Sequence, residues 1–136
     1  MRNPIPLSQE SHMQNHNPSI LSASSLTGND VENRQGESLG DIKDLMLDPR
    51  TGRVAYAVLD FGGFLGIGNK LFAVPLESMT LDTANHRFVL DVDKDRLEEA
   101  PGFDKDHWPE HPDYNFIDEV RAYYGLDAYH REVATV

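Results

Sequence analysis

Cysteine is absent from the 136 residues, and with it go disulfides, thiolate nucleophiles, cysteine-ligated zinc and iron–sulfur clusters. Positive charge is scarce: 12 lysines and arginines stand against 23 aspartates and glutamates, a formal charge of −11 with the six histidines neutral. Nucleic acid is held largely by cations that displace counterions from phosphate, so direct nucleic-acid binding is not expected. No stretch approaches the roughly 20 apolar residues of a spanning helix. Nor does an apolar run follow a basic start, as in a secretory leader. A soluble, cytoplasmic chain without a membrane span is the expectation. Repeats and long low-complexity runs are missing too, which leaves room for one hydrophobic core at roughly 100–200 residues per domain.

The opening segment MRNPIPLSQESHMQNHNP carries Pro4, Pro6 and Pro18 and only the isolated apolar residues Ile5, Leu7 and Met13. Such a segment has too little apolar surface to offset the entropy of ordering it. Residues 1–17 therefore read as a flexible arm. Residues 126–136 have a weak pattern and read as a tail.

Between these ends, residues 20–92 alternate short β-branched and aliphatic runs with turn signals, the pattern of an all-β sandwich or barrel. The clearest unit is a hairpin over residues 41–61. Ile42, Leu45, Met46 and Leu47 lead into Asp48-Pro49-Arg50-Thr51-Gly52, and the strand RVAYAVLDF returns. Proline presets the φ of the first turn position, and Gly52 can close the loop in the left-handed region. In the returning strand both faces are apolar, Val54, Tyr56 and Val58 on one side and Ala55, Ala57 and Leu59 on the other, which predicts cover on both sides. Pro75 marks a strand end or an edge because it cannot donate to a ladder. A second hairpin is predicted around residues 83–86. The expected core comprises Ile42, Leu45, Leu47, Val54, Tyr56, Val58, Leu59, Phe72, Val74, Leu76, Leu81, Phe88, Leu90 and Val92. The serines of residues 19–25 fall in an expected strand.

After Val92 the period changes. Asp95 and Glu98 have the spacing of a capping box, and Pro101-Gly102 stops that helix after about two turns. In NFIDEVRAYY, Phe116, Val120, Tyr123 and Tyr124 fall near one helical face, with Gly125 where a C-terminal cap belongs. The predicted fold is mainly β: a small antiparallel β-barrel over residues 18–93, followed by two short helices in an extension over residues 94–125.

No complete catalytic or ligand constellation emerges. The glycine-rich residues 62–70 fail as a phosphate loop, because Gly68 is followed by Asn69, Lys70 and Leu71 and not directly by Lys and Ser or Thr. Asp91, Asp93 and Asp95 have the spacing of the first calcium-loop ligands, but Arg96 stands where glycine belongs and Gly102 where glutamate belongs. His107 and His111 are four apart, yet Pro109 and Pro112 argue against one helix presenting both. With Asp113 nearby they suggest at most an adventitious nickel or zinc site. No GxSxG elbow is present. The expectation is no catalytic residues, no cofactor and no metal.

The run GNDVENRQGESLGDIKDLMLDPRTGRVAYAVLDFGGFLGIGNKLFAVPLESM resembles the PRC-barrel family, named for the cytoplasmic barrel of the photosynthetic reaction centre H subunit and also found in a ribosome maturation factor. The likeness spans residues 19–92. It implies a compact antiparallel barrel that works as a docking or assembly module, with no catalytic residues to carry over. The chain is accordingly expected to be a stand-alone, non-enzymatic interaction module that acts through a homodimer or another protein partner. Its interface candidates are Phe61, Phe64, Leu65 and Ile67, large apolar residues in a loop where polar ones are usual. The rival reading is a small metal-dependent enzyme or metal-binding protein that uses residues 91–113.

Overall fold

The computed structural model describes residues 21–62, 70–82 and 84–129. The predicted arm therefore lies outside the described residues, as do Phe64, Leu65 and Ile67. In chain order the elements are α1 (Ala23–Leu26), β1 (Asp30–Glu32), β2 (Ser38–Asp48), β3 (Arg53–Asp60), β4 (Lys70–Val74), a 3-10 turn (Leu76–Ser78), β5 (Met79–Asp82), β6 (Arg87–Leu90), α2 (Lys94–Glu98), β7 (Gly102–Asp104) and α3 (Tyr114–Tyr123). The strands form a single seven-stranded sheet in the order β5-β6-β1-β2-β3-β4-β7.

A mainly β fold with short helices behind it is what the sequence predicted. Two features differ in detail. The sheet is not closed by a β5–β7 ladder, and one of its pairs, β1 with β6, runs parallel while the others are antiparallel. Arg87 bridges that parallel pair, bonding Glu32 on β1 and Asp82 at the end of β5.

The β2–β3 hairpin forms where Asp48-Pro49-Arg50-Thr51-Gly52 requires it. Gly52 has φ +78° and its N–H bonds the Asp48 carbonyl at 2.7 Å. The second hairpin also forms, with His86 in the left-handed region at φ 54°. The strand expected in the serine-rich stretch is instead the single turn α1. Ser25 and Thr27 bond the carbonyls of Ser22 and Ser24, and such local bonds compete with a sheet ladder.

Two apolar layers flank β3. Inside the curled sheet, Val31, Leu39, Ile42, Leu59, Phe72 and Leu90 are fully buried, with Leu97 of α2 closing the layer. On the outer face of β3 and β4, Tyr56, Val58, Leu71 and Ala73 pack against Ile117 and Val120 of α3. This arrangement meets the expectation of a strand covered on both sides. Fully burying a large apolar side chain stabilises by about 1.5–3 kcal/mol, so α3 is held by its inner face.

Leu47 corrects the predicted core: it is 65% exposed. Met46 pairs with Tyr56 while Leu47 pairs with Val54, which makes Ala55 an extra residue in β3. A second slip leaves Lys43 extra within β2 itself; bulges bend a strand and end strict alternation, so inward and outward positions counted along the sequence do not hold as far as the hairpin tip. Asp93 rather than Asp95 caps α2, its carboxylate accepting the Arg96 N–H at 2.8 Å. Beyond α3, Tyr129 is buried, so the expected tail contributes a core residue.

Candidate functional site

Three chain segments enclose a groove of about 510 Å³ at the outer end of the β2–β3 hairpin. Met46, Leu47 and Tyr56 come from the hairpin, Phe103 from β7, and Phe116 and Ile117 from α3. The connection between β7 and α3 supplies its rim, where Pro109 and Pro112 restrict the backbone and His107, Glu110, His111 and Asp113 are exposed. Trp108 anchors that connection. Its indole N–H bonds the Lys105 carbonyl at 2.8 Å, and its ring lies 5.2 Å from that of Phe103.

The groove is floored by Tyr56, which is only 4% exposed. Its ring meets Phe116 edge-on with centroids 5.7 Å apart. Desolvation, and then the negative charge of Asp113, pushes the Tyr56 hydroxyl up to about 12, so it is protonated at neutral pH. Among the described residues nothing hydrogen-bonds to that hydroxyl, nor is it sealed from solvent. Asp113 caps α3, accepting the Phe116 N–H at 3.1 Å.

Beneath the hairpin turn lies a buried carboxylate. Asp48, 1% exposed, accepts the Arg50 N–H at 3.0 Å and the hydroxyls of Tyr114 and Tyr129 at 3.0 Å each. Desolvation alone would raise its pKa. The bonds from the Arg50 N–H, Tyr114, Tyr129 and Thr51 outweigh it and hold the carboxyl below the ordinary 3.8. The two tyrosine rings stack with centroids 6.0 Å apart, Arg53 lies 4.1 Å over Tyr129 and Arg50 6.0 Å over Tyr114. Asp48 thus joins the hairpin to the start of α3 and to the segment that follows that helix, and fixes the wall of the groove.

The residues singled out as possible metal ligands do not converge. Asp91 pairs with Arg34 at 3.3 Å, Asp93 caps α2, and Asp95 lies in the first turn of that helix. His107 faces Asp104 at 3.6 Å, and both His107 and His111 line the groove. Among the described residues no group of three His, Asp or Glu side chains is placed to hold a metal ion. Of the predicted interface residues, Phe61 sits in the core. It is 6% exposed and packs edge-on against Phe72 with centroids 6.3 Å apart. No described helix is long and apolar enough to cross a membrane.

The GESLGDIKDLMLD strand running into its Asp-Pro turn and the strand that ends before Pro75 both lie within the segment that decides the family. The profile of the PRC-barrel domain matches residues 18–97, more than half of the chain. This chain belongs to the PRC-barrel family. No curated protein matches it. The matched part of this PRC-barrel chain ends with α2, so one groove wall, the hairpin, belongs to the family domain, whereas β7, the proline-containing rim and α3 lie beyond it.

Asp41 shows what neighbouring strands do to a carboxylate. It pairs with Asp30 on one side and Asp60 on the other. Desolvation, then the charges of Asp60 and Asp30, raise its pKa, opposed by Lys43. A carboxyl with a raised folded-state pKa weakens the fold once ionised, and that penalty disappears as pH falls below the unfolded value. Asp41→Asn is expected to raise the melting temperature at neutral pH and to leave it unchanged below 3.8, the ordinary value. The gain should stay under about 1 kcal/mol, since Asp41 is partly solvated and such charges are screened. Thermal melts of both proteins across this range provide the check.

Proposed function

We propose that this PRC-barrel protein is a non-catalytic protein-interaction module whose docking surface is the groove between the β2–β3 hairpin and the extension beyond the family domain. The observation that carries the proposal is the contiguous apolar lining of the groove, Met46, Leu47, Phe103 and Phe116, with Leu47 65% exposed. Burying such a leucine is worth up to about 1.5–3 kcal/mol, and a contiguous apolar groove, unlike a single exposed residue, marks a contact site. The rigid prolines at the rim support the same reading, because a wall already held in place loses little entropy on binding.

A photo-crosslinking residue at Leu47 tests the proposal in the native host. A discrete adduct is expected from position 47 and none from position 85, on the far hairpin. Excess unlabelled protein should compete it away, whereas the Met46→Asp, Leu47→Asp variant should not. Equal labelling from both positions would sink the reading.

Self-association is the form of this activity that the sequence favours, through Phe64, Leu65 and Ile67. Light scattering decides it: a dimeric parent should become a folded monomer on the double substitution Phe64→Ser, Leu65→Ser. A parent that is already monomeric removes self-association and leaves docking of a different protein.

A further inference from the structure

We propose that the groove accepts an arginine side chain from an extended segment of a partner protein, its aliphatic stem against Met46 and the rings of Phe103 and Phe116, its guanidinium against Glu110, Asp113 and the Tyr56 hydroxyl. This inference rests on the docking role and adds the chemistry of what docks.

Three independent features point to a cation with an apolar stem. First, the groove is asymmetric in charge. Glu110 and Asp113 stand exposed on its rim beside His107 and His111, and among the described residues no lysine or arginine lines it. The third acidic lining residue, Asp48, has its oxygens occupied by Arg50, Tyr114 and Tyr129. The partial positive charge at the start of α3 is met by Asp113 itself as the cap, which leaves Glu110 uncompensated. Second, the walls below that rim are apolar and partly aromatic, and a planar guanidinium is drawn to ring faces as well as to carboxylates. An aspartate or glutamate would meet like charge there, and a purely aliphatic side chain would leave the polar groups without a partner.

Third, Tyr56 is more than nine-tenths buried, and its hydroxyl makes no hydrogen bond to a described residue. The hydroxyl is not sealed from solvent and Tyr56 lines the groove, so water there can be replaced by a polar group of whatever docks. A protonated phenol can accept a hydrogen bond from an incoming N–H, and Asp113 lies close enough for its charge to act on that phenol. The acidic balance of the whole chain, −11, favours encounter with a basic partner over an acidic one.

The test uses the full chain labelled with ¹⁵N and three acetylated, amidated peptides: Gly-Leu-Arg-Leu-Gly, the same peptide with citrulline for arginine, and the same with glutamate. The arginine peptide should shift the amide resonances of Tyr56, Phe103, Glu110 and Phe116. The citrulline peptide, which keeps shape and loses charge, should bind about tenfold more weakly, the scale of one cation–π contact together with an exposed ion pair. The glutamate peptide should not bind. Glu110→Gln, on an exposed loop, and Tyr56→Phe, which removes only the hydroxyl, should each weaken the arginine peptide while leaving the rest of the spectrum intact.

Equal binding of the arginine and citrulline peptides overturns the proposal, as does no binding of either. Shifts spread over the acidic surface and insensitive to both substitutions also overturn it, because they report general attraction of cations. An adduct that still forms from Leu47 in those cases leaves the docking surface standing and removes only the arginine.

Discussion

Gly40→Ala is expected to abolish the folded state or to lower stability by more than about 4 kcal/mol, a loss at the extreme of single substitutions. At Gly40 φ is +110°, in a region that L side chains rarely adopt, and a Cβ there would stand 2.1 Å from the Asp60 carbonyl oxygen and 2.9 Å from the Phe61 Cα. All of these obstacles are backbone. No rotamer change relieves them; the β2–β3 ladder must move apart next to Ile42 and Leu59, both fully buried. A small domain holds about 5–15 kcal/mol in total, so a penalty of this size consumes most of it. Gly36→Ala is the matched control. Its φ is +85°, but a Cβ would meet nothing within 4 Å, so only the conformational cost of roughly 1–3 kcal/mol applies. Denaturant titration of the two variants beside the parent gives the comparison, and equal losses would show that the close approach to β3 is not what requires glycine at position 40.

Asp48→Ala should cost about 3 kcal/mol or more, since hydrogen bonds to a charged group are worth about 1.5–3 kcal/mol each and the deserted partners stay partly buried. The substitution strips the Arg50 N–H and the hydroxyls of Tyr114 and Tyr129 of their acceptor. Asp48→Asn keeps the shape and one acceptor oxygen and should lose markedly less. The two variants also separate by pH. The folded-state pKa of Asp48 lies below 3.8, so the ionised carboxylate contributes fully at neutral pH, and its contribution fades as pH falls below that value and is gone below the folded pKa. The parent should therefore lose more stability than Asp48→Asn over this acid range. Acid titration followed by near-ultraviolet circular dichroism reads both the global transition and the environment of the tyrosines. If Asp48→Asn and the parent show the same acid limb, the carboxylate is not ionised in the native protein.

The same two residues separate what could be read along the chain from what could not. Asp48-Pro49-Arg50-Thr51-Gly52 announces a turn, because proline and glycine have backbone preferences that neighbours in space do not change. The two-sided burial of β3 was legible for a similar reason: apolar residues at consecutive positions leave a strand no solvated face. The second hairpin, the helix ending at Gly125 and the stop after α2 follow from equally local chemistry. The absence of cysteine and the charge of −11 are complete in the sequence and owe nothing to folding.

Everything that depends on meeting across the chain had to come from the tertiary structure. Nothing in the sequence around Asp48 says that Tyr114 and Tyr129, 66 and 81 positions away, will bring their hydroxyls to its carboxylate. Leu47 reads as core by alternation, and only the tertiary structure shows that it stands 65% exposed at the hairpin tip, on a strand whose ladder slips at Lys43 and again opposite Ala55. Phe61 reads as the first residue of an exposed apolar loop, and only its contact with Phe72 places it in the core. The groove combines residues from the hairpin, β7 and α3, none of which forms a motif alone. By itself the sequence determined a mainly β chain, its turns, its charge and its lack of thiol chemistry, since these are properties of single residues and near neighbours. The tertiary structure decided which carboxylate is buried, which leucine is exposed and where an apolar groove meets an acidic rim, because burial and electrostatic environment belong to contacts between distant segments.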